Sequence, residues 1–394
     1  MVNEKMQALG DEPSAIRELF AYGLARKAEI GEDAVFDYSL GNPSVSPPEK
    51  LTSTLKTLLE MPPVELHSYS PSAGVPSVRK AIVKNISSRF GISASASHVY
   101  MTVGASASVS ISANAIASPG SEIIVPSPYF PEYKVWVENA GCKIVEVPVE
   151  MPSFQLDVTA IANAVTPKTA AVIINSPNNP VGTVYTRANL EALANALRAK
   201  EQEVGHAIYI ISDEPYRELT YGAEVPYVPC IYARTLVCYS YSKALSLPGE
   251  RIGYIYVSDL MDGAEADKIF AAVCGAGRAL GYTCAPVLFQ RAVAECANEP
   301  ANVAAYAKNR EILTSALDRL GYEYVAPDGA FYLWVRALEA DANAFSKRAK
   351  SFELLIVPSN SFGCEGWVRL CYSIPTKTIE ASISAFEKLK ASYS

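Results

Sequence analysis

The chain has 394 residues, more than one simple core holds, so two domains are expected. Apolar residues make up 49% and charged residues 19%, a globular composition able to bury a large core. The net charge of −7 argues against nucleic acid and anionic membrane surfaces as partners, so any anion site has to be local, built from a few arginines and backbone amides.

From the N-terminus, residues 14 to 30 carry Ile16, Leu19, Phe20, Leu24 and Ala28 on one helical stripe. Phe36 to Pro43 reads as a short strand ending in a Gly-Asn-Pro turn that contains Gly41. Residues 50 to 60 look helical. A loop of turn formers, His67 to Gly74, holds Tyr69, which alone reads as a half-buried packing tyrosine. An amphipathic helix follows from about Val75 to Phe90.

From Val99, short apolar runs alternate with helices. Val99 to Val103 predicts a strand. Gly104-Ala105-Ser106 then opens a helix of small residues, whose free amides suit an anion or simply make a tight turn. Ile123–Val125, Lys143–Val147, Ala170–Asn175 and Ala207–Ile211 are the next strands. A helix starts at about Arg187, with Leu190, Leu193 and Leu197 on one face and Thr186 as N-cap. Strands that are apolar throughout, alternating with helices, predict a mostly parallel sheet sandwiched by helices. In such sheets ligands collect at the carboxyl ends of the strands. Polar and aromatic residues recur at those ends: Gly104 to Ser106, Phe130, Asn179, Asp213, Tyr216, Ser240 and Lys243. After about Gly281 the pattern turns α+β. A long helical region runs through Arg310 and Leu320, followed by a strand at Gly329–Val335 and a helix around residues 341 to 352. Apolar runs at Leu354–Val357 and Trp367–Ser373 precede a final helix. The expected fold class is α/β: a large domain over residues 46–282 with a mostly parallel sheet between helices, plus a smaller α+β domain from residues 1–45 and 283–394.

Ser240 to Tyr254 concentrates the chemistry. It reads as strand, loop, strand, with Lys243 after the apolar run Thr235–Cys238 and Arg251 before the run Ile252–Val257. A lysine at a buried strand end loses solvation, which lowers its pKa and makes its amine nucleophilic. Ser240, Ser242 and Arg251 can grip a phosphate, and a lysine beside a phosphate suggests a Schiff base to pyridoxal phosphate. The three histidines are widely separated and the eight cysteines form no CxxC pair, so a metal site or a Ser-His-Asp triad is poorly supported. The start lacks a hydrophobic signal core and no apolar run reaches membrane-span length, so a cytoplasmic location with reduced thiols is expected.

Over nearly the whole chain, and in the same order, these motifs resemble those of the class I/II aminotransferases, pyridoxal phosphate enzymes of fold type I. Their style is closest to the aspartate aminotransferase-like members. Ser242-Lys243 followed by Gly249-Glu250-Arg251-Ile252-Gly253-Tyr254 looks like the cofactor-lysine signature. Pro177-Asn178-Asn179-Pro180-Val181-Gly182 looks like the Pro-x-Asn-Pro-Thr-Gly motif, with Val181 replacing the usual threonine or serine. Asp213-Glu214-Pro215-Tyr216 looks like the Asp-x-x-Tyr motif.

The resemblance implies roles. Lys243 anchors the cofactor and then shuttles a proton. Asp213 pairs with the pyridine nitrogen and keeps it protonated. Asn179 and Tyr216 bond the ring oxygen. Arg251, Ser240, Ser242 and the amides around Gly104, Ala105 and Ser106 hold the phosphate. Phe130 stacks on the ring, with Tyr129 a close competitor for the register. Tyr69 reaches a neighbouring subunit's phosphate, which implies a homodimer with shared active sites. Arg369 lies on an apolar strand, where an unpaired arginine is costly; the resemblance assigns it to the substrate α-carboxylate, with Gly41 touching the same group and Asn179 also on the substrate side. Ser127–Pro128 and Asn179–Pro180 are implied to be cis.

The implied reaction is ping-pong amino transfer through Lys243, between an amino acid, aspartate fitting best, and a 2-oxo acid such as 2-oxoglutarate. Arg278 falls roughly where the family places a side-chain-selecting residue, reached from the partner subunit; a plain surface or interface arginine is the alternative. A β-lyase or decarboxylase on the same fold uses the same lysine and aspartate and is the alternative activity. A non-catalytic regulator would carry a DNA-binding unit before the Gly-Asn-Pro turn, and no basic recognition helix stands there.

Overall fold

In the computed structural model, which describes residues 2–11 and 14–393, the apolar runs in the middle of the chain become one sheet. Met1, Glu12, Pro13 and Ser394, which fall in the expected smaller domain, lie outside the described residues. A short strand, β1 (Phe36–Asp37), comes first. The central strands are β2 (Val99–Thr102), β3 (Glu122–Ser127), β4 (Lys143–Pro148), β5 (Thr169–Asn175), β6 (Tyr209–Asp213), β7 (Thr235–Ser240) and β8 (Gly253–Val257). They lie in the order β2-β8-β7-β6-β5-β3-β4. All neighbouring pairs are parallel except that β8 runs against both β2 and β7.

The strands are apolar on both sides because both faces are covered. Val172 and Ile174 of β5 pack with Leu190, Leu193 and Leu197 of the helix Arg187–Val204. The alternate residues Ala171 and Ile173 pack on the other face with Val109, Tyr133 and Val137. Each buried Leu, Ile or Val side chain contributes roughly 1.5–3 kcal/mol of transfer free energy. The helix Arg187–Val204 starts where the Thr186 side chain accepts the Asn189 amide at 3.1 Å, and stops at Gly205, φ +77°.

The winding gathers the carboxyl ends. β3 leads outward to β4, whereas β5 lies on the other side of β3, and such a reversal opens a crevice at the strand ends. Asn175 of β5 is registered beside Asp213 of β6, and Asp213 beside Cys238, two residues before Ser240 at the end of β7.

The remaining strands are β9 (Tyr324–Val325), β10 (Tyr332–Arg336), β11 (Leu354–Leu355), β12 (Val357–Pro358) and β13 (Trp367–Cys371). An antiparallel sheet has the order β12-β13-β10-β9. β11 pairs in parallel with β1, which ties the N-terminal segment to this C-terminal unit. Leu313, Leu317, Phe345, Phe386 and Leu389 from three helices cover it. The whole is an α/β fold with a mostly parallel central sheet flanked by helices.

Several details depart from the sequence reading. Ser240–Tyr254 is not a plain loop between strands. The Ser240 hydroxyl accepts the Ser242 amide at 3.2 Å and starts a one-turn helix, Tyr241–Ala244. On the helix Ala15–Ile30, Ile16 is buried but Leu24 is 54% exposed. Gly23 takes the close position instead, since a Cβ there would come within 2.8 Å of Asp37 Oδ2. Asn179–Pro180 is trans; among the described residues the cis bonds are Ser127–Pro128, Met151–Pro152 and Ser176–Pro177. Asn178 shapes the turn, its side chain accepting the Val181 amide at 3.1 Å and its carbonyl the Gly182 amide at 2.8 Å. Among the described residues no helix is long and apolar enough to cross a membrane.

Candidate active site

A cavity of about 380 Å³ opens at the carboxyl ends of β5, β6 and β7 and reaches Tyr332 and Arg369 of the C-terminal sheet. Lys243 enters it from the one-turn helix. Its Nζ donates to the Gly41 carbonyl at 2.5 Å and lies 5.4 Å from the centre of the Phe331 ring. Burial pushes the amine down to about 8, and the cations Arg251 and Arg369 act in the same direction. At that value about one amine in ten is neutral, and so nucleophilic, at pH 7.

Asp213 closes β6 and is buried. Its Oδ2 accepts the Tyr133 hydroxyl at 2.5 Å, while Oδ1 has no donor. Burial raises the carboxyl to about 7, against the Tyr133 hydrogen bond and with some help from Glu214. Glu214 is itself neutralised by Arg217, 2.6 Å away. A buried carboxylate oxygen without a donor is unusual and suits a ligand N–H. Asn175 braces the site from the neighbouring strand: its Nδ2 donates to the Asp213 carbonyl at 2.8 Å and its Oδ1 accepts the Asn179 amide at 2.7 Å.

An anion cradle lies beside them. Gly104 has φ +92° and precedes the helix Ala105–Ile116; a Cβ there would sit 2.7 Å from Arg251 Nη2, so only glycine lets the guanidinium lie against the helix start. Arg251 also donates to the Pro248 carbonyl at 3.0 Å, and the Ser240 and Ser242 hydroxyls lie 2.8 Å apart. An arginine, two hydroxyls and the open amides of a helix match a phosphate.

Arg369 on β13 is 1% exposed yet has no carboxylate partner among the described residues. Its Nη1 donates to Asn179 Oδ1 at 2.9 Å and its Nη2 to the Ser39 carbonyl at 2.5 Å, while Nε is unpaired. The guanidinium lies 4.5 Å from the centre of the Tyr332 ring. The Tyr332 hydroxyl bonds that of Tyr216 at 2.7 Å and packs against Gly41, where any side chain would collide with it. Burial, then the Tyr332 contact, holds the Tyr216 hydroxyl well above its ordinary pKa, so it stays protonated.

Of the residues singled out in the sequence, the cavity brings together Gly41, Ala105, Ser106, Phe130, Asn179, Asp213, Tyr216, Ser240, Ser242, Lys243, Arg251 and Arg369, with Gly104 directly behind Arg251. Phe130 meets Tyr133 edge-on at 5.9 Å, whereas its competitor Tyr129 is buried in the core below. Tyr69 is 94% exposed and does not line the cavity. Arg278 is exposed on the helix Gly263–Ala279 and does not line it either. Sequence reading missed Asn175, Tyr133 and Tyr332. Asn175 carried a signal, a polar residue ending an apolar strand, as Asp213 does. The two tyrosines carried none.

A partly neutral lysine amine reacts with aldehydes, and here it shares one crevice with a buried carboxyl that has an oxygen free for a ligand and with a phosphate cradle. Fold and cavity define a class, the lysine-anchored pyridoxal phosphate enzymes. Within it the chain belongs to the family described as Aminotransferase class I and II, whose model matches residues 35–386. The chain is similar to an amino transferase of Eubacterium rectale, 48% identical with a TM-score of 0.96, covering 100% of this chain and 99% of that one. It is similar to aromatic-amino-acid aminotransferase 2 of Thermococcus litoralis, 30% identical over 96% of this chain and 95% of the relative. An aspartate aminotransferase of Thermus thermophilus, solved with maleate, is 27% identical with a TM-score of 0.87 and 99% coverage of both chains. The protein is therefore a pyridoxal phosphate-dependent transaminase. The unpaired Asp213 Oδ1 and the cradle against Gly104 fit that cofactor.

Proposed function

We propose that this transaminase moves the amino group of aspartate to 2-oxoglutarate in the cytoplasm, as a homodimer with shared active sites. The observation that carries the reading is Arg369, buried on the cavity that holds Lys243 with no counter-ion among the described residues. A lone buried guanidinium is costly, and a substrate α-carboxylate supplies the missing charge through a bidentate fork. Gly41 and Asn179 flank that carboxylate. The aspartate assignment draws on the name of the Thermus relative. The shared site draws on Tyr69, whose side chain is free to reach another subunit's phosphate.

Pyridoxal phosphate, when bound, supplies an electron sink for the charge left on the substrate Cα. The chain does the rest. Lys243 anchors the cofactor and afterwards carries the proton to and from Cα, its depressed pKa letting it exist in either form near pH 8. Asp213, through its unpaired Oδ1, would hold the ring nitrogen and favour its protonated form. Asn179 and the protonated Tyr216 hydroxyl would hold the ring oxygen, and Phe130 would cover the ring. Ser240, Ser242, Arg251 and the amides of Ala105 and Ser106 would hold the phosphate.

The test is spectroscopic. Purified enzyme should be yellow, bleach on adding aspartate, and recover on adding 2-oxoglutarate, with glutamate formed. Lys243→Ala should abolish turnover. Pyruvate or ammonia release without an oxo-acid acceptor would instead establish a lyase.

A further inference from the structure

With those roles assigned, two charged residues on the cavity wall remain without one: Arg17 and Glu132. The same cavity is also lined by the apolar residues Ile16, Leu40, Phe130 and Trp136. Glu132 has a local reason for its place. It is the first residue of the helix Glu132–Asn139, where an acid complements the helix dipole. Arg17 has none. It is the third residue of the helix Ala15–Ile30, where the same dipole disfavours a cation. Among the described residues it makes no ion pair or side-chain hydrogen bond. Its neighbour Ile16 is locked into a core with Trp334, Phe362 and Trp367, which fixes the backbone that carries Arg17 on the cavity wall. Arg278, the sequence's candidate for the same task, does not line this chain's cavity.

We propose that Arg17 binds the distal carboxylate of a dicarboxylic substrate and so sets the preference for acidic side chains. This rests on the transaminase reading above and extends it to the side-chain end of the site. Arg369 and Arg17 then form two carboxylate clamps on one cavity, and its apolar lining residues meet the substrate's methylenes. The aliphatic and aromatic surface of that lining also accepts an apolar side chain, which needs no distal cation.

The test compares donors in the holoenzyme. For Arg17→Gln, kcat/KM with aspartate should fall roughly 10- to 100-fold, mainly through KM, the loss expected for one charged hydrogen-bond pair. Values with alanine and tyrosine should stay within about threefold, since neither presents a distal carboxylate. Arg17→Lys should recover part of the aspartate rate. An equal fall for all donors would overturn the proposal, because that marks a structural role. No change with aspartate would also overturn it, as would an aspartate-selective loss in Arg278→Ala alone. A wild-type holoenzyme that transaminates monocarboxylic donors but no dicarboxylate would overturn the substrate reading itself. One that transaminates nothing would overturn the site assignment.

Discussion

Replacing Asp213 by asparagine should stabilise the cofactor-free protein while crippling the enzyme. The Asp213 carboxyl is raised from 3.8 to about 7, chiefly by burial. A raised acid binds its proton more tightly in the folded chain than in the unfolded one. Between those two values the folded state holds more protons, so stability falls as pH rises. The rise from 3.8 to about 7 corresponds to about 4 kcal/mol of binding preference for the proton. That penalty is absent below pH 4, grows up to pH 7, and is complete above it. Asparagine has the same shape and no charge, so Asp213→Asn should recover about 2–4 kcal/mol at pH 8 and little at pH 4, less what its amide loses against Tyr133. Urea unfolding of cofactor-free wild type and variant across that range measures the difference. Activity should fall on the order of 10²–10³-fold or more, since a fixed charge aimed at the reacting system is lost. A variant less stable than wild type at pH 8, or a stability gain that does not depend on pH, would refute the burial argument.

Other expectations follow from the same geometry. Arg369→Lys keeps the charge but loses the fork, so kcat/KM should fall about 10- to 100-fold for every amino acid; an unchanged value removes Arg369 from the substrate site. Reloading of the cofactor-free protein with pyridoxal phosphate should quicken with pH and level off near 8, the value to which burial lowers Lys243. A rate still rising past pH 10 would show an ordinary lysine. Tyr69→Phe should leave thermal stability within about 0.5 kcal/mol, because the side chain is 94% exposed, yet weaken cofactor affinity. Unchanged affinity would deny Tyr69 a place in a shared site.

The parts legible in the sequence were those encoded by local runs. β5 and β6 announce themselves as unbroken apolar stretches, and the residues that end them, Asn175 and Asp213, fall at the cavity because parallel register aligns strand ends. Thr186 marks the start of one helix by its chemistry alone. What stayed hidden depends on contacts across the chain. Tyr133 reaches Asp213 from 80 residues away, and Tyr332 meets Tyr216 across 116. No periodicity encodes such pairs. Arg17 was overlooked for a related reason: the stripe of its helix points to Ile16, and only the fold shows what the flank faces. Leu24 was misjudged because a stripe says which residues are apolar but not whether this chain supplies something to cover them.

The cavity departs from the pattern of the other buried charges. Among the described residues those have an opposite charge within reach, as Glu214 has Arg217 at 2.6 Å and Glu201 has Arg234 at 3.1 Å. At the site, Lys243 has only a carbonyl for a partner, Asp213 has a bare oxygen, and Arg369 has an unpaired Nε. Each mismatch costs stability, and the large cores on both faces of the sheet offset it. The mismatches are complementary to one small set of molecules: an aldehyde for the lysine, a protonated ring nitrogen for the aspartate, a carboxylate for the arginine. A ligand that meets these demands binds the folded chain and not the unfolded one, so it returns stability in proportion to its affinity. The arrangement that weakens the empty protein is thus the same one that selects its cofactor and substrate.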